Sequence, residues 1–250
     1  MSKSKAEQPP AKAAILDYGL GNLFSVGNAC EFVGMRPVVT SSAREILSAD
    51  LVILPGVGAF ADAMAALKKL DLVQPLLEVA SLKKPLFGIC LGMQLLMTES
   101  HEFGHHEGLG LIEGSVVSLD QPKSESDPDD RSEDELDKSR VKIPQVGWNR
   151  IFCFQNNDND TKDSNTEYVP WAGTALKGLS DGEYMYFVHS FYAKPRNPDV
   201  VISTSKYGNV EFCSSLRHES IFACQFHPER SGPMGLNIYR NIAESLAGVR

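Results

Sequence analysis

Residues 88–92 read GICLG, a cysteine with glycines two positions away on either side, after an apolar run and before a helix-like one. This is the spacing of a nucleophile elbow, in which a strand ends in a tight, strained turn and the chain leaves as a helix. Glycines suit the flanks because side chains there would collide with neighbouring strands. A helix beginning after Cys90 points its free N–H groups at the sulfur and favours the nucleophilic thiolate. Alone, the pentapeptide is equally the mark of an inert cysteine buried at a strand end. A thiolate needs a base, and QFHPERSG at residues 225–232 offers one. His227 follows an apolar strand-like run, and in extended chain Glu229 projects to the same side. The carboxylate can then orient the imidazole and stabilise the imidazolium. Taken alone, His-Pro-Glu also reads as a loop with a solvated histidine. Acyl transfer requires oxyanion donors as well. In ILPGVGAF, Gly56 and Gly58 let the backbone around Val57 approach a ligand, and the N–H of Val57 or Gly58 with that of Leu91 forms a candidate oxyanion hole. The alternative is an ordinary strand-to-loop turn. In FVHSFYA, the backbone at Ser190 and Phe191 can bind a polar ligand.

The elements that must carry these residues alternate in the first hundred positions. AAILDYG, RPVVT, ADLVILPG and KPLFGI read as buried strands. Between them, helical spacing is found over residues 23–33, with Gly34 as a stop, and in AFADAMAALKKL and DLVQPLLEVA. Ser42 and Glu45 form a candidate capping box for a further short helix. Strands without polar alternation, separated by helices, imply a parallel sheet covered on both faces. After Gly108 the chain turns to strands (LGLIEGSVVSL, NRIFCF, YMYFVHSFY, VVISTSKY, VEFCSSLR and SIFACQF), and a closing helix is expected over roughly 236–246. The expected fold class is α/β: a three-layer domain with a mostly parallel central sheet and an added antiparallel part. It would span residues 13–250 after a disordered tail over 1–12. Two stretches interrupt it. Residues 121–140 hold eight acidic and four basic side chains, and residues 155–167 are rich in Asn and Asp. Neither buries enough apolar surface to offset ordering, so both read as mobile surface insertions; acidic docking is the alternative for the first.

Composition narrows the function. The chain has 250 residues, 42% of them hydrophobic, enough for one domain with a substantial core. Lys and Arg total 24 against 32 Asp and Glu, a net charge of -8 that argues against nucleic acid or an anionic membrane as partner. The five cysteines are widely spaced and lack a C-x-x-C pair, which argues against a disulfide framework or zinc site and fits the cytoplasm. No apolar run reaches membrane-spanning length.

Taken together, GICLGMQ, PGVG, VHSFYA and QFHPE, in this order, resemble the class I (triad) glutamine amidotransferases. The variants DYGLGNL, PGVGAF, GLGLIEG, PQVGWN, YFVHSFY and HPERSGPMGL are most similar to the glutaminase subunits of imidazole glycerol phosphate synthases. The resemblance covers roughly residues 13–246, the two insertions excepted. It implies a glutaminase in which Cys90 attacks the glutamine carboxamide, His227 transfers the protons and Glu229 orients the imidazole. It also implies that Gly56, Gly58, Gln94, Ser190 and Phe191 bind glutamine, and that no cofactor is used. The ammonia would pass to a (β/α)8 cyclase subunit in a heterodimer, which makes imidazole glycerol phosphate and AICAR for histidine. Asn22, Gln145, Trp148, Asn149 and Arg230 match partner-facing positions, with core packing as the alternative for Trp148. The family more often has His at the position of Gln145 and Lys at that of Arg230, and Arg and Lys differ in hydrogen-bond geometry. Two other readings stay open. The same glutaminase could feed a different acceptor such as a surface-sugar precursor, or the chain could be a non-enzymatic scaffold subunit. His101, His105 and His106 read as a solvated loop, with no metal expected.

Overall fold

A computed structural model describes residues 9–120, 142–154 and 171–248. Residues 1–8 of the expected tail and both expected insertions lie outside the described residues. The first half follows the alternation read above: β1 (Lys12–Leu16), α1 (Leu23–Phe32), β2 (Arg36–Thr40), α2 (Ala43–Leu47), β3 (Leu51–Gly56), α3 (Phe60–Lys69), α4 (Val73–Ser81) and β4 (Leu86–Cys90). β2, β1, β3 and β4 are parallel neighbours in that order. The short α5 (Leu91–Leu95) leads to β5 (Met97–Ser100), β6 (His106–Glu107) and β7 (Ile112–Ser118). The second half brings β8 (Gln145–Cys153), β9 (Glu183–His189), β10 (Phe191–Pro195), β11 (Val201–Tyr207), β12 (Val210–His218), β13 (Ile221–Cys224) and the closing α6 (Gly232–Ala247).

Among the described residues, nine strands form the central sheet in the order β2-β1-β3-β4-β13-β12-β11-β8-β9. β13 pairs parallel with β4, and every pair beyond it is antiparallel. A smaller sheet, β10-β7-β5-β6, lies beside it. Alternating residues of the buried strands feed two separate cores. Ala14, Leu16, Val52 and Leu54 pack under α2, α3 and α4 with Phe60, Leu67 and Leu76. Ala13, Ile15, Ile53, Phe87 and Ile89 pack under α1 and α6 with Val26, Cys30, Ile238 and Tyr239. Burying such side chains stabilises the domain by roughly 1.5–3 kcal/mol each. The apolar, non-alternating strands are therefore explained by helices on both faces, the three-layer α/β arrangement expected from the sequence.

Four local differences have physical causes. Ser42 makes no side-chain cap to α2; Glu45 instead takes the ammonium of Lys12, so the expected capping box is absent. The closing helix starts at Gly232, one turn earlier than expected, with Pro233 in its first turn where a missing N–H costs nothing. β8 begins at Gln145 rather than at NRIFCF, which puts PQVGWN on a strand. Finally, YMYFVHSFY is two strands. β9 belongs to the large sheet and β10 to the small one, with Ser190 alone between them.

Candidate active site

Cys90 is the last residue of β4 and has φ 54, ψ -109, a left-handed setting for a residue with a side chain. Such strain costs on the order of 1–3 kcal/mol and persists only where the surroundings enforce it. The surroundings here are close-packed backbone. A Cβ on Gly92 would lie 1.7 Å from the carbonyl oxygen of Leu54, and one on Gly88 3.1 Å from the Ala223 Cβ, the Leu96 Cδ1 and the Met93 nitrogen. α5 thus sits directly over β3 and β4, as the elbow reading required. It is only five residues long.

His227 caps the end of β13 and is held from both sides. Its N–H donates to the Tyr186 carbonyl at 2.8 Å, and its own carbonyl accepts from the Ser231 hydroxyl at 2.7 Å. The Ser231 hydroxyl in turn accepts from the Tyr186 N–H at 3.0 Å. His227 Nδ1 lies 2.8 Å from Glu229 Oε1, and both side chains are almost wholly buried. The pairing arises differently from the extended-chain expectation: Pro228–Arg230 forms a 3-10 turn that swings the carboxylate back to the ring. Burial pulls the imidazole pKa down, but the negative charges of Cys90 and Glu229 overcome it and raise it to about 10. Charge and a side-chain interaction with the Cys90 sulfur both contribute to that rise, as does the hydrogen bond to Glu229.

A raised folded-state pKa means that the imidazolium stabilises the fold below pH 6.5, the ordinary histidine value, and that this contribution fades as pH rises through the folded-state value. Glu229→Gln should therefore destabilise most at pH 6, by about 1–3 kcal/mol. The difference from wild type should narrow toward pH 10. Melting temperatures across that range check both the size and the sign.

A cavity of about 250 Å³ is lined by Val57, Gly58, Cys90, Leu91, Gln94, Ser190 and Phe191, together with Glu102, Pro144, Val188 and His189. Gly58 has φ +107, a turn that favours glycine. Gly56 stands behind the wall rather than in it. A Cβ there would lie 2.4 Å from the Tyr18 hydroxyl, which donates to the Pro55 carbonyl at 2.6 Å. His227 and Glu229 also lie outside the lining. A larger cavity, about 490 Å³, opens beside α6 at the starts of β4 and β13, among none of the nominated residues.

The five partner-facing candidates separate. Trp148 is 57% exposed and packs edge-on against Tyr186, 6.1 Å between centroids, while the Arg230 guanidinium lies over that same Tyr186 ring, 4.4 Å from its centroid. Asn22 caps α1, its side-chain oxygen accepting from the Ser25 N–H at 3.4 Å. Asn149 donates to the Lys206 carbonyl at 3.0 Å. Gln145 is 3% exposed, cross-strand from His189. Of the three loop histidines, His105 and His101 flank Glu99 at 2.9 and 3.4 Å. Among the described residues no group of three or more His, Cys, Asp or Glu is arranged to hold a metal.

Several site residues were missed from sequence. Glu102 is buried and accepts from the Phe60 N–H at 2.6 Å, holding the start of α3 just after the Val57–Gly58 turn. His189 is buried too; desolvation lowers its pKa to about 4, and its Nδ1 lies 2.9 Å from the Phe191 carbonyl. Gln225 is fully buried beside Cys90. The period-two rule that paired His227 with Glu229 would have found Gln225 two residues upstream; Glu102 and His189 carried no comparable spacing signal.

A strained cysteine elbow, a buried His–Glu pair coupled to its sulfur and a small cavity lined by that cysteine suit nucleophilic acyl transfer on an α/β frame. The family model for glutamine amidotransferase class-I matches residues 15–245, and the chain belongs to that class. Within it, the imidazole glycerol phosphate synthase subunit HisH of Geobacter metallireducens is 41% identical over 237 residues, covering 95% of this chain and 100% of its own. HisH 1 of Legionella pneumophila (strain Lens) is 39% identical over 234 residues, covering 94% and 99%. The chain is a member of the HisH family of glutamine amidotransferases. Among solved structures, PurLQS from Thermotoga maritima is similar with a TM-score of 0.62 and 19% identity, covering 96% of this chain and 100% of that one, a likeness of fold.

Proposed function

We propose that this chain is the glutaminase subunit of an imidazole glycerol phosphate synthase and that Cys90, His227 and Glu229 carry its chemistry. His227 Nε2 holds the proton of the Cys90 thiol as an imidazolium–thiolate pair, and the sulfur attacks the side-chain carbonyl carbon of glutamine. The negative oxygen that develops is met by the N–H of Leu91 and that of Val57 or Gly58. On collapse the C–N bond breaks, the imidazolium hands its proton to the departing nitrogen, and ammonia leaves a glutamyl thioester. His227 then deprotonates a water that attacks the thioester, releasing glutamate and regenerating the imidazolium–thiolate pair. Glu229 holds the ring and its charge throughout. The observation that carries this reading is that residues from four separate stretches of sequence, 57–58, 90–94, 188–191 and 227–229, converge around one sulfur.

The ammonia is passed to a cyclase subunit, which explains why a chain with a complete triad would belong to a synthase. The exposed Trp148, the Arg230–Tyr186 stack and Asn22 form the docking face, and Gln145 and Asn149 lie on the opposite face of the same strand. Five free cysteines suit a reducing cytoplasm, and no helix among the described residues is long and apolar enough to cross a membrane. Co-purification with the cyclase, followed by glutamate release with and without it, tests the assignment. Activity should be weak alone and rise in the complex; full activity alone would contradict dependence of the glutaminase on its partner. Trp148→Ala should weaken the complex by about 2 kcal/mol, roughly thirtyfold in Kd, and leave the melting temperature of the isolated chain unchanged. Titration calorimetry reads the first quantity and a thermal melt the second.

A further inference from the structure

The sulfur of Cys90 has two polar neighbours besides the triad. The Val188 carbonyl lies at 3.7 Å, where it accepts from the thiol, and the Gln225 amide Nε2 lies at 3.5 Å, where it donates to the sulfur. Gln225 comes from the end of β13, two residues before His227, and is fully buried. Its other end is engaged as well: Gln225 Oε1 accepts from Gln94 Nε2 at 3.1 Å, and Gln94 Nε2 also donates to the Phe191 carbonyl at 2.8 Å. Both amide orientations are fixed by this chain. Reversing Gln225 would set two NH₂ groups against each other, and reversing Gln94 would set its oxygen against the Phe191 and Gln225 oxygens. One continuous chain therefore runs from the Phe191 carbonyl through Gln94 and Gln225 to the sulfur, and it leaves Gln94 Oε1 as the acceptor beside the cavity.

We propose that Gln225 is a further catalytic residue, whose amide N–H stabilises the Cys90 thiolate and joins it by hydrogen bonds to the substrate-recognising side chain of Gln94. The inference rests on the glutaminase reading above for its purpose but on the geometry for its content. When the Sγ–H proton moves to His227 Nε2, the electron pair stays on sulfur and the donor role toward Val188 ends. The hydrogen bond from Gln225 gains strength because its acceptor is now charged. A buried thiolate facing only a carbonyl oxygen would instead be destabilised. The same amide can follow the sulfur as it forms and releases the thioester, since Gln225 is anchored at its far end by Gln94 and has no space to turn away.

The test uses the full-length protein and iodoacetamide, a probe that reports thiolate without needing glutamine turnover. In Gln225→Met, close in volume and without a donor, Cys90 should be alkylated about tenfold more slowly at pH 7, with the pH midpoint of alkylation moved up by about one unit. Gln225→Glu keeps the acceptor for Gln94 and should slow alkylation at least as much. A folded variant whose rate and midpoint match wild type would overturn the proposal. Wild-type protein supplies a readout independent of variant folding: the Gln225 side-chain amide proton should move downfield through the same pH midpoint, and a flat titration would overturn the proposal. If wild-type protein with the cyclase released no glutamate, the glutaminase reading would fail while these thiolate measurements still stood or fell by themselves.

Discussion

Cys90→Ala should reduce glutamine-dependent synthesis by the subunit pair by about four orders of magnitude or more, because removing a nucleophile removes every step that passes through its covalent intermediate. Synthesis supplied with ammonium salts should stay at the wild-type level, since the acceptor chemistry belongs to the cyclase. The two assays on one preparation make the result specific. Loss of both activities would mean that Cys90 supports the assembly rather than the chemistry, and retention of both would place the nucleophile elsewhere. The substitution is mild for the fold. Alanine carries the same Cβ into the same left-handed backbone, and the sulfur makes only long contacts, 3.5 Å to Gln225 and 3.7 Å to Val188.

Gly92→Ala should have the largest effect on stability of any single methyl added near the site. Its Cβ would lie 1.7 Å from the Leu54 carbonyl oxygen, which is backbone of a central strand and cannot rotate aside. Either β3 or α5 must move, and α5 carries both Leu91 and Gln94. A loss of about 3 kcal/mol or more is expected, which for a chain of this size lowers the melting temperature by roughly 10 °C. Gly34→Ala makes the control. Its φ of +81 is left-handed, which that of Gly92 is not, but nothing lies within 4 Å of the added carbon, so only the backbone preference of about 1 kcal/mol is lost. Equal effects at the two positions would show that the elbow yields more easily than its packing implies.

Much of this was legible in sequence because the same few residues carried both structure and chemistry. The apolar strands ending at Gly56 and Cys90 announced a parallel sheet, and glycine spacing marked the elbow; that the strand ending at Cys224 joins β4 in parallel was not legible. What could not be read was long-range pairing. YFVHSFY has uniform strand character, so nothing local says that Ser190 divides two sheets; that depends on Tyr192 and Ala193 pairing with Val117 and Val116. The capping box failed because Lys12, thirty-three residues before Glu45, competes for the carboxylate. The His227–Glu229 contact was foreseen for a reason that does not hold, since a 3-10 turn and not an extended chain makes it. Glu102 stayed hidden because its partner is a backbone N–H forty-two residues away.

Ser190 ties the cavity beside Cys90 to the folding cooperativity of the molecule. Its carbonyl accepts from the Leu119 N–H at 2.9 Å, and the next carbonyl, that of Phe191, accepts from Gln94. The peptide proposed to meet glutamine is thus a junction between two sheets, and neither sheet can loosen alone without deforming it. Local opening of the small sheet, well short of global unfolding, would erase substrate affinity, so glutamine bound at this junction draws two otherwise separable folding units into one.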